Sequence, residues 1–392
     1  MIKVMHVITT LGPAGAETML CRLASGMDAS RFENEVVSLT GILDLADRMQ
    51  RIGVRVRTLG MKASVPNPLL VLRLAQWIRG SKPDLIQTWM CHANFVGAFA
   101  ARLAGNVPVV WGIHDSGLDS SMGNRRTMLV DRACALLSRK YAARIVCCCE
   151  ASLRFYKELH YAPEKLEVIP NGFDVEQFKP DPAAHASLRE ELGIPAETLL
   201  IGIAARFHPH KDHHNFIEAA ARLHKELPAV HFLLCGLDIT WQNSQLAEWI
   251  EAAGLRDCCH LLGVRQDVSR LFAGMDIATT ASRCEAFPIV IGEAMACGTP
   301  CVVTDVGDSA LIVDDTGSVV APGDPDALAE AWRKLIEAGP EVRRRLGMAA
   351  RRRVQQHFAL PAIVERYQTI YAQLAAGALR GVTSTSLSQV AR

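Results

Sequence analysis

The strongest constraint on the fold is an alternation of short apolar segments with helical patterns along nearly the whole chain. Short apolar runs predict buried strands, and strands that alternate with helices predict a parallel sheet covered on both faces. Seven such segments lie in the first half of the chain: residues 3–8, 35–39, 55–59, 85–88, 107–111, 144–148 and 166–169. Six more lie in the second half: residues 199–204, 231–235, 259–262, 276–279, 300–303 and 319–321. The pattern therefore predicts an α/β protein with two doubly wound sheets.

One turn-rich segment separates the two series of strands. The sequence IPNGFDVEQFKPDP holds three prolines and an Asn-Gly pair, a composition typical of a linker. We therefore place an N-terminal domain at residues 1–174 and a C-terminal domain at residues 175–358. A terminal helix at 359–379 is expected to pack back on the N-terminal domain, and residues 380–392 to form a flexible tail. Two such domains create a cleft at the carboxyl edges of their strands, where open α/β sheets bind ligands.

The composition excludes several classes of protein. Hydrophobic residues make up 49% of the 392 positions and charged residues 21%, so the chain is globular rather than disordered. The 42 Lys and Arg nearly balance the 41 Asp and Glu, whereas a dedicated nucleic-acid binder would carry a basic excess. No apolar stretch reaches the roughly 18 residues of a membrane span. The 12 cysteines include no Cys-x-x-Cys pair and are expected to be the reduced thiols of a cytoplasmic protein.

The charge is divided unequally between the two halves. Residues 1–178 carry 21 basic and 16 acidic side chains, whereas the remaining residues carry 21 and 25. Residues 124–143 predict a basic amphipathic helix with Arg125, Arg132 and Arg139 at seven-residue spacing. Such a face is either an ordinary solvated surface or a surface that lies on anionic lipid. The second interpretation predicts peripheral binding at the inner face of the plasma membrane.

Two strand-to-helix turns carry residues suited to anionic ligands. The first strand ends in TTLGPAGAE, where Gly12 and Gly15 precede a helix whose exposed N–H groups favour anions. This turn contains neither the Gly-x-Gly-x-x-Gly of dinucleotide-binding proteins nor the Gly-Lys-Ser/Thr of a P-loop. In the second half, ARFHPHKDHHNF places Arg206 and Lys211 at a similar turn, where two cations suit a diphosphate. A solvated loop is the alternative interpretation.

No metal site is expected. The same loop carries four histidines, but no Cys or carboxylate set stands at ligand spacing and the adjacent Arg and Lys repel a cation. Asp324 and Asp326 form an Asp-x-Asp pattern, but they open a helical run and are predicted to cap its start. The four histidines are His208, His210, His213 and His214.

The segment CEAFPIVIGEAMACGTP holds two acids, Glu285 and Glu293, with seven residues between them. Pro288 predicts that a helix begins near Ile289 or Val290. Glu293 then lies in the first turns of this helix, and Glu285 lies in the loop before it. The two carboxylates thus flank unpaired backbone N–H groups, an arrangement that can hold polyol hydroxyls and a phosphate.

Together these segments resemble a known family. EAFPIVIGEAM resembles the Glu-x7-Glu motif of the retaining GT-B glycosyltransferases of family 4, and ARFHPHKD resembles their Arg-x4-Lys phosphate-binding loop. IPNGFDVEQFKP is similar to their interdomain segment, and LLGVRQDVSRLFAGMDI to their nucleotide-binding region. The resemblance implies a GT-B fold, with two Rossmann-like domains facing a central cleft and C-terminal helices. The first-domain loop departs from the family's Gly-Gly-x-Glu, since Ala14 stands in place of the first glycine.

The resemblance also implies a role for each matching residue. Glu293 binds the nucleotide ribose and Glu285 binds the donor-sugar hydroxyls, while Arg206 and Lys211 neutralise the diphosphate. His114, in WGIHDS, lines the donor-sugar pocket. The implied catalytic residues are His114, Arg206, Lys211 and Glu285. The implied donor-binding residues are Gly15, Arg206, Lys211, Val264, Glu285, Phe287, Ile289, Val290 and Glu293.

The implied reaction is sugar transfer from a nucleotide diphosphate sugar, with UDP as the nucleotide, to a lipid-linked or other saccharide acceptor. The resemblance implies retention of the anomeric configuration and a use in polysaccharide assembly. No metal or other cofactor is expected, because basic residues stabilise the leaving diphosphate. The alternatives are a nucleotide-sugar epimerase of the same architecture, an NAD-dependent oxidoreductase, which would lack its glycine fingerprint here, and a non-catalytic sugar-binding protein. No nucleic-acid partner is expected.

Overall fold

The chain forms two compact units. The computed structural model describes residues 1–12, 14–41, 45–61, 68–117 and 125–389, and for residues 125, 126 and 378–389 it describes the backbone only. The first unit comprises Met1–Gly172 together with Leu360–Arg392, and the second comprises Phe173–Ala359. Each unit is built on one parallel sheet with helices on its faces, which confirms the predicted α/β class.

Seven strands form the sheet of the first unit: β1 (Ile2–Ile8), β2 (Phe32–Ser38), β3 (Arg55–Thr58), β4 (Leu85–Trp89), β5 (Val109–Ile113), β6 (Arg144–Cys147) and β7 (Leu166–Val168). The helices between them are α1 (Gly15–Gly26), α2 (Leu45–Arg51), α3 (Pro68–Ser81), α4 (Cys91–Leu103), α5 (Arg125–Tyr141) and α6 (Glu150–Glu158). The strand order is β3-β2-β1-β4-β5-β6-β7, so the order reverses between β1 and β4.

Six strands form the sheet of the second unit: β8 (Leu199–Ala204), β9 (Val230–Cys235), β10 (Cys259–Leu261), β11 (Ile277–Thr280), β12 (Cys301–Thr304) and β13 (Ser318–Val320). The helices of this unit are α7 (Ala184–Leu192), α8 (His213–Glu226), α9 (Ser244–Ala252), α10 (Val268–Gly274), α11 (Ile289–Ala296), α12 (Ser309–Val313), α13 (Pro325–Glu337) and α14 (Pro340–His357). The strand order is β10-β9-β8-β11-β12-β13, so the order reverses between β8 and β11.

The last helix, α15 (Leu360–Gln389), belongs to the first unit. Its buried side chains include Val364, Tyr367 and Tyr371, which share a hydrophobic cluster with residues of β1 and α1. The helical backbone continues to Gln389, and the flexibility expected from residue 380 onward stays a prediction. No proline stands in this stretch to stop the helix.

The central strands are buried on both faces, as continuous apolar runs in parallel sheets predict. Val4 and Val7 of β1 point to opposite faces, and each joins a separate hydrophobic cluster. One face of the first sheet carries α1, α2 and α15, and the other carries α3, α4, α5 and α6. Among the described residues, no helix combines the length and the apolar character needed to cross a bilayer.

Candidate functional site

Parallel strands bring three loops of the second unit to one edge of its sheet. Arg206 and Lys211 follow β8, Glu285 follows β11, and Gly307 follows β12. These three strands are neighbours, and the strand order reverses between β8 and β11. Open α/β sheets bind ligands outside the carboxyl ends of their strands at such a reversal. The candidate site of the second unit therefore lies at this edge.

Lys211 and Glu285 form an ion pair that joins the loop after β8 to the loop after β11. Ser282 Oγ donates a second hydrogen bond to the same carboxylate oxygen, Glu285 Oε1, at 2.7 Å. Within the described residues, Oε2 of Glu285 accepts no hydrogen bond. Because the side chain is 12% exposed, this oxygen can accept a hydrogen bond from a ligand hydroxyl.

Asp212 fixes the start of α8 and links the same two loops. Its backbone is left-handed, with φ +46°, and its side chain accepts a hydrogen bond from Asn215 N at 3.4 Å. Arg283 Nε donates to Asp212 Oδ2 at 2.6 Å, and Arg283 N donates to the carbonyl of His210 at 2.8 Å. Sequence reasoning missed both residues. An Asp directly before a helical pattern is the signal that could have identified the cap.

Gly307 braces the loop that carries Glu285. Its φ of +56° is left-handed, and a Cβ there would lie 2.3 Å from the carbonyl oxygen of Glu285 and 2.4 Å from that of Ala286. Asp308 N donates to the Ala286 carbonyl at 3.0 Å. The loop after β12 thus approaches the Glu285 backbone so closely that only glycine fits. Sequence reasoning missed this position as well.

Helix α11 begins at Ile289, as the proline in the motif predicts. Pro288 occupies the N-cap, and no side chain caps the helix start. The backbone N–H groups of Ile289 and Val290 are therefore the first donors of the helix, and Glu293 is buried one turn further on. The two acids of the motif lie on opposite sides of this helix start along the chain, as expected.

Phe287 packs against two other phenylalanines of the second unit. Its side chain is buried, and its ring packs against Phe173 at 6.0 Å and Phe358 at 5.8 Å between centroids. A Cβ on Gly292 would overlap the Phe173 ring, so the linker phenylalanine lies directly on α11. The Phe287 side chain therefore packs inside the second unit, and the donor-binding role implied for this residue stays a prediction.

Two other predicted residues lie on the surface of the second unit. Arg206 is exposed and forms no ion pair within the described residues, so its guanidinium is available to an anion. Val264, in the loop after β10, is 62% exposed.

Of the four histidines that follow β8, His213 is buried. Burial lowers the pKa of His213 to about 4, so its imidazole is neutral at pH 7.

Gly15 and His114 belong to the first unit. Gly15 is exposed at the start of α1, where Ala14 occupies the N-cap and no side chain caps the helix. His114 directly follows β5 and stacks on Trp89 at 4.8 Å between centroids. Both of its ring nitrogens are shielded from solvent and have no hydrogen-bond partner within the described residues. Burial lowers its pKa to about 4, which makes the imidazole neutral at pH 7.

The aspartates of the Asp-x-Asp pattern have structural partners. The side chain of Asp324 caps α13 by accepting a hydrogen bond from Ala327 N at 2.9 Å. Asp326 forms an ion pair with Arg222 at 2.9 Å. Across the described part of the chain, no group of three or more His, Cys, Asp and Glu side chains is arranged to hold a metal ion.

Comparison with known proteins identifies the family. The model of Glycosyltransferase Family 4 matches residues 13–177, and the model of Glycosyl transferases group 1 matches residues 185–353. The two matches follow each other along the chain and together span most of its length. With its two doubly wound sheets, the chain therefore belongs to the group 1 glycosyltransferases of GT-B fold.

Individual relatives extend over much of the chain. UDP-Gal:alpha-D-GlcNAc-diphosphoundecaprenol alpha-1,3-galactosyltransferase of Escherichia coli is 25% identical over 307 residues, 77% of this chain and 78% of the relative. The crystal structure of Anabaena Alr3699/HepE in complex with UDP-glucose matches with a TM-score of 0.83 and 25% identity, over 95% of this chain and 100% of that one. Sucrose-phosphate synthase from Thermosynechococcus elongatus, at 21% identity and a TM-score of 0.82, covers 96% of this chain and shares the fold.

Proposed function

We propose that this glycosyltransferase moves a sugar from a UDP-sugar to a saccharide acceptor, with retention of the anomeric configuration and without a metal ion. The Lys211, Glu285 and Ser282 cluster carries the proposal, because it presents an open carboxylate oxygen just before the start of α11. The names of two similar proteins support the nucleotide: a galactosyltransferase that uses UDP-Gal and a structure that holds UDP-glucose.

The second unit would hold the donor. Glu285 Oε2 accepts a hydrogen bond from a sugar hydroxyl, and Glu293 accepts one from the ribose. The diphosphate lies against the N–H groups at the start of α11, where the helix dipole favours an anion. Arg206 and Lys211 add two positive charges. Charge that develops on the departing UDP is thus stabilised by groups already in place, which lowers the barrier without a metal.

His114 would contribute a neutral imidazole to the donor sugar. Because its pKa is lowered to about 4, it is a hydrogen-bonding group rather than a cation across the physiological range. One ring nitrogen donates and the other accepts, so the ring can bind a hydroxyl without placing a positive charge next to the reacting carbon. The proposal thus separates two roles: charge in the second unit and neutral recognition at His114.

A panel of donors tests the proposal. Wild-type protein is incubated with UDP-, GDP- and ADP-glucose and with UDP-galactose, with and without saccharide acceptors, and free nucleotide diphosphate and sugar products are measured. We expect release of UDP from one UDP-sugar, loss of at least a hundredfold in kcat for Glu285→Ala, and a product with the donor's anomeric configuration. Conversion of one UDP-sugar into another without an acceptor would indicate an epimerase. Binding without turnover would indicate a sugar-binding protein.

We further propose that α5 docks on an anionic membrane, where a lipid-linked acceptor resides. Leu129 and Leu136 are 64% and 85% exposed, and Arg132 and Arg139 lie beside them on the same exposed face. Exposed leucines flanked by cations match an acidic lipid surface. The side chain of Arg125 lies outside the described residues. The lipid-linked acceptor is supported by the diphosphoundecaprenol in the name of the Escherichia coli relative.

Vesicle sedimentation tests the membrane proposal. We expect binding to vesicles of phosphatidylglycerol but not of phosphatidylcholine, and at least a tenfold loss of affinity in the double variant Arg132→Glu and Arg139→Glu. The matched control reverses two exposed arginines elsewhere, Arg345→Glu and Arg352→Glu. Equal binding of the α5 variant and wild type would refute docking through this face.

A further inference from the structure

We propose that Trp89 is a positioning residue that holds the His114 ring in its working orientation, and that α15 supports it through Tyr367. The proposal rests on the proposed function, in which His114 contacts the donor sugar. Trp89 ends β4 and His114 follows β5, so the two residues lie on neighbouring strands at the carboxyl edge of the first sheet.

Among the described residues, His114 is oriented by packing. A histidine at a functional site is usually oriented by a hydrogen bond to one ring nitrogen. Here neither nitrogen has such a partner within the described residues. The contact that defines the ring plane is the stack on Trp89, with centroids 4.8 Å apart and the planes inclined by 24°. A change in the Trp89 ring would therefore change the direction in which both ring nitrogens point.

The backbone beside His114 contains a glycine that this packing requires. A Cβ on Gly112 would lie 2.7 Å from the carbonyl oxygen of Thr88 and 3.6 Å from Cδ2 of His114. Any larger residue would push β5 away from β4 at the point where the two rings stack. Gly112 therefore permits the close approach that the Trp89 stack needs.

Trp89 is itself fixed by a hydrogen bond. The indole Nε1–H donates to His6 Nδ1 at 3.4 Å, and His6 Nε2 lies 3.0 Å from Asn34 Oδ1. An indole nitrogen can only donate, so His6 Nδ1 accepts, and the protonated His6 Nε2 donates a hydrogen bond to Asn34 Oδ1. Burial lowers the pKa of His6 to about 4, which agrees with this neutral form. Asn34, His6 and Trp89 are thus linked by hydrogen bonds, which fix the position of the Trp89 ring.

The C-terminal helix α15 packs against two of these hydrogen-bonded side chains, Trp89 and His6. The Tyr367 ring is nearly parallel to Trp89, at 22° and 6.5 Å, and Tyr371 packs edge-on against His6 at 6.4 Å. The hydroxyl of Tyr371 donates to Gln87 Oε1 at 3.0 Å, which joins α15 to β4. Helix α15 therefore packs against Trp89 and His6 and supports the ring on which His114 stacks.

The orientation of His114 can be measured directly by NMR. Full-length protein labelled at histidine Cε1 gives a His114 signal, assigned by its loss in His114→Gln. The Trp89 ring current shifts this signal away from its position in an unstacked histidine. We expect Trp89→Leu to abolish the shift, Trp89→Phe to keep most of it, and Tyr367→Leu to reduce it. If Trp89→Leu does not fold, Tyr367→Leu still tests the proposal, since an unchanged His114 signal in that variant would overturn it.

Kinetics then connect orientation to turnover. We expect Trp89→Leu to lower kcat for UDP-glucose hydrolysis at least tenfold with the Kd for UDP within twofold of wild type, and Trp89→Phe to lower kcat less. Trp77→Leu, the same substitution on α3 away from His114, is the matched control and is expected to keep wild-type kcat. A folded Trp89→Leu variant with an unchanged His114 signal or unchanged kcat would overturn the proposal. Failure of the wild type to turn over UDP-sugars would refute the proposed function, while the NMR measurement would still decide the positioning role.

Discussion

Glu285 depends on contacts from two neighbouring loops. Lys211 and Ser282 hold one carboxylate oxygen. In the loop after β12, Gly307 lies against the Glu285 carbonyl and the backbone N–H of Asp308 donates to the carbonyl of the next residue, Ala286. None of these contacts is local in sequence except that of Ser282. The direction of the free carboxylate oxygen is therefore set by the tertiary structure of the second unit rather than by the motif alone.

Gly307→Ala is the sharpest residue-scale test of this arrangement. The added Cβ would overlap two carbonyl oxygens and also face a left-handed backbone, so we expect a loss of about 2–4 kcal/mol in the free energy of unfolding. We also expect at least a tenfold loss of donor turnover, because the Glu285 loop must move.

Gly193→Ala is the matched control for Gly307→Ala. Gly193 has a similar φ of +66°, but a Cβ there would meet nothing within 4 Å. We expect only the backbone cost of about 1 kcal/mol and wild-type turnover. Urea unfolding and UDP-glucose hydrolysis measure both effects. Equal losses of stability and of turnover in the two variants would show that the close contact between Gly307 and the Glu285 backbone does not affect function.

Asp131 gives the first unit a specific pH dependence. Burial and the nearby charge of Asp115 raise its pKa to about 7, whereas an unfolded Asp titrates near pH 4. Between these values the folded chain binds a proton that the unfolded chain releases. The stability contribution is therefore full below about pH 4 and is lost as the pH rises to about 7.

Asp131→Asn is expected to remove this penalty. At pH 8 the variant should be more stable than wild type by about 1–3 kcal/mol, and at pH 4.5 the difference should be small. Urea unfolding at the two pH values, monitored at the first unit, measures it. A difference of the same size at both pH values would contradict the raised pKa.

Among the elements, α14 supports the helix that carries the motif. Arg351 donates to the carbonyl of Ala296 at the end of α11 and to the carbonyls of Phe178 and Val175 at 3.0 and 3.1 Å. One guanidinium thus satisfies the open end of α11 and fixes the linker segment beside it. By holding the C-terminal end of α11, Arg351 also helps to fix the position of the N-terminal end, where the motif lies.

Arg351→Met tests how much these hydrogen bonds contribute to stability. Three carbonyls lose a charged donor, so we expect a loss of about 2–3 kcal/mol in the unfolding free energy of the second unit. Arg352→Met is the control, since Arg352 is exposed and makes no ion pair or side-chain hydrogen bond within the described residues. Chemical denaturation of both variants is the measurement. Similar stability of the two would mean that Arg351 contributes only a surface interaction.

The elements themselves were largely predictable from sequence, and their mutual contacts were not. Periodicity and apolar runs identified the thirteen strands found among the described residues, and Pro288 predicted a helix start near Ile289 or Val290, where α11 begins at Ile289. Gly307 and the Phe173 contact on Gly292 were missed because each depends on residues distant in sequence. Asp212 was also missed: its helix cap had a local sequence signal, but its ion pair with Arg283 did not. The burial of the Phe287 side chain was not predicted either, since a short motif does not show which of its side chains other segments cover.

At the scale of the whole molecule, the first unit is built from both ends of the chain. Residues of α15 complete the hydrophobic cluster around β1, and Tyr367 and Tyr371 pack near Trp89 and His6. The sequence predicted that a terminal helix packs on the N-terminal domain, but not that this helix contacts Trp89 and His6. These contacts make α15 part of the core of the first unit.

Truncation tests this dependence. Loss of residues 360–392 removes several buried side chains, each worth about 2–4 kcal/mol, which together exceed or approach the stability of a typical domain. We expect amide protection in β1 and β4 to disappear while β8 and β11 stay protected in hydrogen exchange. Loss of residues 379–392 alone should leave both units protected. Persistent protection of β1 in the longer truncation would contradict a structural role for α15.

We expect the edge of the second sheet between β8 and β11 to bind a nucleotide diphosphate sugar. Calorimetric titration of UDP into wild type, Lys211→Met and Lys225→Met tests it most directly, since Lys225 is an exposed lysine at the far end of α8. We predict measurable UDP binding, a Kd raised at least tenfold in Lys211→Met, and a Kd unchanged in Lys225→Met. Absence of UDP binding by the wild type, or equal affinity in Lys211→Met, would contradict the account.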